Sequence, residues 1–202
     1  MRFLFSLVAV GLISACAPNV NSDSSPARIA AAAYTAPAPR SLTLFTVVNN
    51  RTGSGGHTAL MVNGSQQVLF DPAGSFRDER VVESGDVIFG MTPAWVQAYK
   101  SAHARSTYHV VSQEIPVTPE QAERALQLVR ANGSVGGAYC ARATTGILQQ
   151  VPGFGSIDRT FYPVKLMEQV ATLPGVTTTR YYEDDSGDVI DALRAAELAQ
   201  AQ

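Results

Sequence analysis

The chain is poor in reactive and metal-binding side chains: among its 202 residues are two cysteines, three histidines and one tryptophan. No spacing of His, Cys and carboxylate residues matches a zinc site, and no motif calls for a cofactor. The glycine loop GSGG at 53–56 has no lysine, so it is no phosphate-binding loop. GFGSI at 153–157 departs from Gly-x-Ser-x-Gly, which leaves a serine hydrolase without support. Fifteen Lys and Arg against 17 Asp and Glu give a nearly balanced charge, with no basic excess to attract nucleic acid. Beyond the N-terminus no apolar run is long enough to cross a bilayer. There is no internal repeat, and the length left after the leader suits one domain.

What is present begins with MRFLFSLVAVGLISAC. Arg2 is a positive n-region, and residues 3–13 form an apolar stretch of signal-peptide length. Ile13-Ser14-Ala15-Cys16 resembles the bacterial lipobox, in which the cysteine is lipidated and becomes the first residue of the mature chain. The resemblance implies a signal peptide over 1–15, a lipid on Cys16 and anchoring to a membrane leaflet without a spanning helix. Ala17 in place of Asp implies the outer membrane of a Gram-negative envelope, facing the periplasm. In an exporting pathway two cysteines would ordinarily form a disulfide. A lipidated Cys16 cannot, so Cys140 is left as an unpaired thiol in an oxidising compartment. It is either a small buried apolar side chain or a reactive group.

Residues 16–40 are small, polar and rich in Ala and Pro, and read as a lipidated N-terminus followed by a flexible linker. The texture changes at Ser41. LTLFTVV (42–48), HTALMV (57–62) and QQVLFD (66–71) read as strands, with a hairpin turn at Asn63-Gly64-Ser65. Residues 93–104 form a helix capped by Thr92 with Pro93 in first position, and 106–117 a strand. The next helix starts with a capping box, Thr118 and Gln121 around Pro119, and stops at Asn132-Gly133. A glycine loop leads into a helix starting near Cys140. FYPVKLMEQVATLPG is a further helix opened by Pro163, and 177–184 can be a last strand. The segment 183–202 is an acidic, then Ala-rich tail. Strands, then helices, then a strand predict an α+β domain with an antiparallel sheet packed against helices.

Three residues form a chemical constellation. His57 starts a strand, Asp71 ends the strand that returns along it, and Cys140 stands at a helix N-terminus. A thiol attacks well only as a thiolate. A helix N-terminus and a neighbouring imidazole both favour that form, and the free N–H groups can hold an oxyanion. The imidazole needs a third polar group to fix its orientation. A three-residue turn at 63–65 would set Asp71 opposite His57. A two-residue Asn63-Gly64 turn would set Phe70 there and send Asp71 to the other face. Alternatively, Asp71-Pro72 is only a turn starter. His103 or His109 could instead be the base, but His103 sits in a polar helical stretch and reads as solvated, and His109 alternates along a strand. Tyr139 packs beside the thiol or lends a donor to an oxyanion. Thr144, one turn beyond Cys140, reads as structural, and Trp95 with Tyr99 as helix packing. The glycines before His57 would leave room for substrate.

The order GGHTALMV with His57, QQVLFDPAGS with Asp71 and GGAYCARATTGIL with Cys140 resembles the circularly permuted papain-like hydrolases. These are the permuted NlpC/P60 and lecithin:retinol acyltransferase-like group, some of them bacterial lipoproteins. The resemblance spans residues 41–182. Two features depart from it: many members have His, Asn, Gln or Glu as the third residue, and Tyr139 stands where Asn commonly precedes the Cys. It implies thiol-based hydrolysis or transfer at an amide or ester without a metal, with peptidoglycan peptides or lipid and acyl compounds as substrate classes. In that scheme Cys140 is the nucleophile, His57 the base, Asp71 its orienting partner and the Cys140 N–H part of an oxyanion hole. An inactive relative that binds or scaffolds in the envelope is the alternative expectation. Oligomeric state and natural substrate are not written in the sequence.

Overall fold

Ser41 to Val48 are all buried, because this β-branched and aromatic run supplies apolar side chains to both faces of the sheet at once. It is β1 (Ser41–Asn49), the strand that holds the sheet together. The structure, a computed structural model, describes residues 23–74, 76 and 79–184. The signal segment, Cys16 and the Ala-rich part of the tail lie outside the described residues. The other strands are β2 (Gly55–Asn63), β3 (Gln67–Phe70), β4 (Val82–Ser84), β5 (Val87–Phe89), β6 (Tyr108–Pro116) and β7 (Thr177–Tyr182). They form one seven-stranded sheet in the order β4-β5-β3-β2-β1-β6-β7. Every pairing is antiparallel, so the α+β expectation holds.

Helices cover both faces. Helices α3 (Pro119–Asn132), α4 (Cys140–Leu148) and α5 (Pro163–Val170) pack on one side. There Leu42, Leu44, Leu60, Val62 and Phe70 meet Leu126, Ile147, Leu148 and Leu166. Helix α2 (Pro93–His103) covers the other, where Phe45, Ala59 and Leu69 meet Ala98 and Tyr99. Thr92 accepts from the Trp95 N–H to cap α2, and the Thr118–Gln121 box caps α3 with both of its bonds formed. Such caps stabilise a helix by about 1 kcal/mol.

Strands β4 and β5 were not anticipated. With three residues each they offer too few positions for alternation to show. They are joined at Gly85-Asp86, both at positive φ (56° and 63°), as a tight hairpin turn requires.

The segment read as a flexible linker is, over 23–40, bound to the domain. Pro26–Ala31 forms a short helix, α1, capped by Ser25. Ile29 and Ala32 pack against the core on the α3 side. The Gln67 N–H donates to the Tyr34 carbonyl (2.7 Å), and the Asn63 amide donates to the Pro37 and Pro39 carbonyls (3.3 and 3.0 Å). Composition alone suggested a tether, but these carbonyls find partners at the turn end of β2 and β3, and two apolar side chains find theirs in the core.

Candidate functional site

The β2–β3 hairpin decides where Asp71 goes, and its register is neither of those anticipated. Asn63 pairs with Gln67 and Leu60 with Phe70, so the connecting loop is Gly64–Gln66. Continued, this register sets Asp71 beside Ala59, two residues along from His57 and on the same face. A diagonal cross-strand pair of this kind is within reach of a long side chain. The His57 imidazole spans the gap: its Nε2 lies 2.7 Å from Asp71 Oδ1. The same oxygen accepts from the hydroxyl of Tyr99, at 2.8 Å. A carboxylate oxygen only accepts, so His57 Nε2 carries the proton and Nδ1 is the nitrogen left to face the thiol.

Cys140 arrives from the opposite helical layer. Its helix begins without a side-chain cap: Tyr139 at the N-cap makes none. The first N–H groups of α4 are therefore open to other acceptors. The thiol is buried and in no disulfide, and it neighbours the His57 ring and the backbone N–H groups of Thr58 and Ala141, all of which favour its charged form. Two residues upstream, Ala138 is held at φ 66°, and Ala73, two residues after Asp71, at 57°. L-residues reach this region at a cost of roughly 1–2 kcal/mol each. Both loops that deliver the site residues thus carry local strain.

The electrostatics follow from the contacts. Burial alone would discharge His57. The bond to Asp71, the bond to Cys140 and the charge of both outweigh it and push the imidazolium up to about 10. Burial pushes the Cys140 thiol up, but the His57 bond and charge and the two N–H donors bring it below its ordinary value. Burial likewise raises Asp71, and His57, with help from Tyr99, draws it below the usual carboxylate range. These contacts all favour a thiolate–imidazolium pair held by a carboxylate.

Two residues that sequence reasoning did not assign complete the setting. Tyr99 is fully buried and is the second donor to Asp71. His103 is not solvated. Its ring lies 4.3 Å from that of Tyr99 and stacks at 16° on His57, with centroids 5.9 Å apart. Its Nδ1 donates to the Tyr99 carbonyl at 2.8 Å, and burial lowers its pKa, so it is neutral beside the charged His57. The spacing of Tyr99 and His103, i to i+4, was the signal: it puts both polar rings on the inward face of α2. Asp86, also buried, ties the two loops together. Its Oδ2 accepts from the N–H of Ala73 (3.1 Å) and of Val135 (2.7 Å), and its carbonyl accepts from the Asp71 N–H.

The remaining expectations fall elsewhere. Tyr139 is half exposed and meets Phe161 edge-on at 5.6 Å. It borders a surface concavity together with Arg142, Ala143 and Arg159. His109 sits apart, bonded to Asn50 and stacked on Tyr182. The glycines before His57 make room for protein, not substrate: a Cβ at Gly55 would meet Pro163 at 2.7 Å, and one at Gly56 would meet Tyr108 at 3.1 Å. Thr144 is buried in the helix interface, as a structural role requires. Trp95 packs edge-on against Phe76.

The chain matches no family model, no curated protein and no solved structure.

Proposed function

We propose that the chain is a thiol hydrolase or acyltransferase of the permuted papain-like kind, anchored by lipid on Cys16 in the cell envelope and acting on an amide or ester bond. One observation carries the reading. A single imidazole links a buried carboxylate, at 2.7 Å, to a thiol at an uncapped helix N-terminus. A purely structural cysteine needs neither the charged partner nor the free donors. The order His57, Asp71, Cys140 along the chain, on two neighbouring strands and a helix start, agrees with the permuted arrangement. The lipobox-like Ile13-Ser14-Ala15-Cys16 supports the envelope location.

The chemistry runs as follows. The Cys140 thiolate attacks the substrate carbonyl carbon, and the carbonyl electrons move to oxygen. The Cys140 N–H and neighbouring first-turn groups of α4 receive that oxyanion. His57 gives its Nδ1 proton to the departing amine or alcohol, leaving an acyl group on sulfur and a neutral imidazole. Water, or an acceptor hydroxyl or amine, then loses a proton to His57 and attacks the thioester, and the thiolate is released. Throughout, Asp71 holds the ring in place and stabilises its charged form. Peptidoglycan peptides and acyl esters are both compatible with this site.

The test is turnover by the full chain against a panel of muropeptides and p-nitrophenyl esters, beside Cys140→Ser. The expected result is turnover that the variant loses by at least about a thousandfold, with an unchanged thermal midpoint. Equal turnover by both proteins would end the reading.

A further inference from the structure

We infer that the concavity beside Cys140 is a subsite for a carboxylate carried by the substrate, gripped by Arg142 and Arg159; this rests on the thiol reading of Cys140 above. The concavity is shallow and open to solvent, with a volume of ≈ 340 Å³, and is bordered by the 134–136 loop, Tyr139, Arg142, Ala143 and Arg159. That volume accommodates one compact group, at the small end of ligand pockets.

Its wall is the outward face of α4. Residues 139, 142, 143 and 146 fall at i, i+3, i+4 and i+7, one stripe of the helix, while Cys140 starts the adjoining stripe. Cys140 is thus within one turn, along the chain, of Tyr139, Arg142 and Ala143 on the concavity's wall, and the inferred substrate spans that turn. Gly146 gives Arg159 its place: a Cβ there would stand 2.9 Å from Arg159 Nη2. Arg142 lies over the Phe161 ring, 5.0 Å from its centroid, and Phe161 in turn meets Tyr139. The aromatic pair holds one guanidinium and the bare helix surface the other.

Both arginines border a space with no acidic residue on its wall. Among the described residues neither guanidinium is paired with a carboxylate. Two guanidinium groups left unneutralised around a small concavity are suited to bidentate recognition of an anion. The choice of a carboxylate over a lipid phosphate follows from shape. A headgroup surface calls for a broad basic face, whereas this chain is slightly acidic overall and its two cations are set round a volume of one residue's size.

The experiment uses full-chain protein and the alkylating probe 6-maleimidohexanoic acid, compared with its methyl ester. Both carry the same reactive ring, and only the first carries a charge. Modification is followed by mass spectrometry on the peptide containing Cys140. The acid is expected to react at least about tenfold faster than the ester in the wild type, in line with a charge-assisted bond. In Arg142→Gln/Arg159→Gln that preference should fall below about twofold. Arg130→Gln, which removes a positive charge from α3, should keep the wild-type ratio. A wild-type ratio near one, a double variant that keeps the preference, or an equal loss in Arg130→Gln would each overturn the inference. N-acetylglutamate should slow the acid probe; if inorganic phosphate does so and N-acetylglutamate does not, the carboxylate assignment falls. Alkylation needs no turnover. A charge preference without turnover would sink the hydrolase and leave the subsite, and turnover without a preference would do the reverse.

Discussion

Replacing Asp71 by Asn isolates the charge at the centre of the site. The amide is the same size as the carboxyl, and its oxygen can still accept from His57 Nε2 and the Tyr99 hydroxyl, now 2.7 and 2.8 Å from Asp71 Oδ1. What disappears is the negative charge. A hydrogen bond to a charged group contributes about 1.5–3 kcal/mol and a neutral one about 0.5–1.5. The difference, about 1–1.5 kcal/mol, corresponds to roughly one pH unit at about 1.36 kcal/mol each. His57, held up to about 10 in the wild type, should therefore titrate about one unit lower. A weaker imidazolium stabilises the thiolate less, so the Cys140 curve moves toward higher pH. The assay is the rate of iodoacetamide alkylation of Cys140 against pH. The wild type should show a midpoint below the free-thiol value of about 8.5, and Asp71→Asn a midpoint displaced upward by up to about one unit. The acid limb of stability gives a second readout. Asp71 has a folded pKa below its ordinary 3.8, so its contribution is present above 3.8 and is lost as the pH falls through the folded value. The variant should lose that part of the acid dependence. Superimposable alkylation profiles for the two proteins would refute the coupling of Asp71 to the thiol through His57.

Other substitutions test how the loops deliver these groups. A Cβ at Gly74 would overlap the Asp71 carboxylate, so Gly74→Ala should cost about 1–3 kcal/mol in urea unfolding by overpacking. It should also raise the alkylation midpoint, as Asp71→Asn does; an unchanged midpoint would show that the carboxylate is not displaced. Asp86→Ala orphans the N–H groups of Ala73 and Val135, which Asp86 Oδ2 now accepts. At about 1–3 kcal/mol for each lost partner, stability should drop by about 2–6 kcal/mol. Hydrogen exchange should quicken in both loops together; exchange confined to one would refute the idea of a shared tie.

The sheet was legible because its strands are long where it matters. β1, β2 and β6 each span nine residues, enough for alternation and turn residues to mark them. The helices announced themselves through Thr92, Thr118 and three prolines at their starts. β4 and β5 were too short to show a pattern. The ordering of 23–40 was hidden because its partners, Glu83, Asn63 and Gln67, are remote in sequence.

The site was legible to a different degree at each residue. Cys140 and His57 could be picked out by scarcity and context, since a chain with three histidines offers few bases. Asp71 depended on parity. The loop proved to be Gly64–Gln66, so the register lies two residues from that of a three-residue turn at 63–65, and a shift of two preserves the face. A shift of one would have buried Asp71 on the α3 side and left His57 without its acceptor. The grouping of His57 with Asp71 therefore stands despite the different register, and the imidazole's reach absorbs the difference. Tyr99 and His103 were hidden for another reason. Helical spacing can say that two rings share a face, but not that the face covers Asp71. Only the sheet order, with β3 next to β2 and α2 laid over both, brings the second donor and the neutral ring to the charged one.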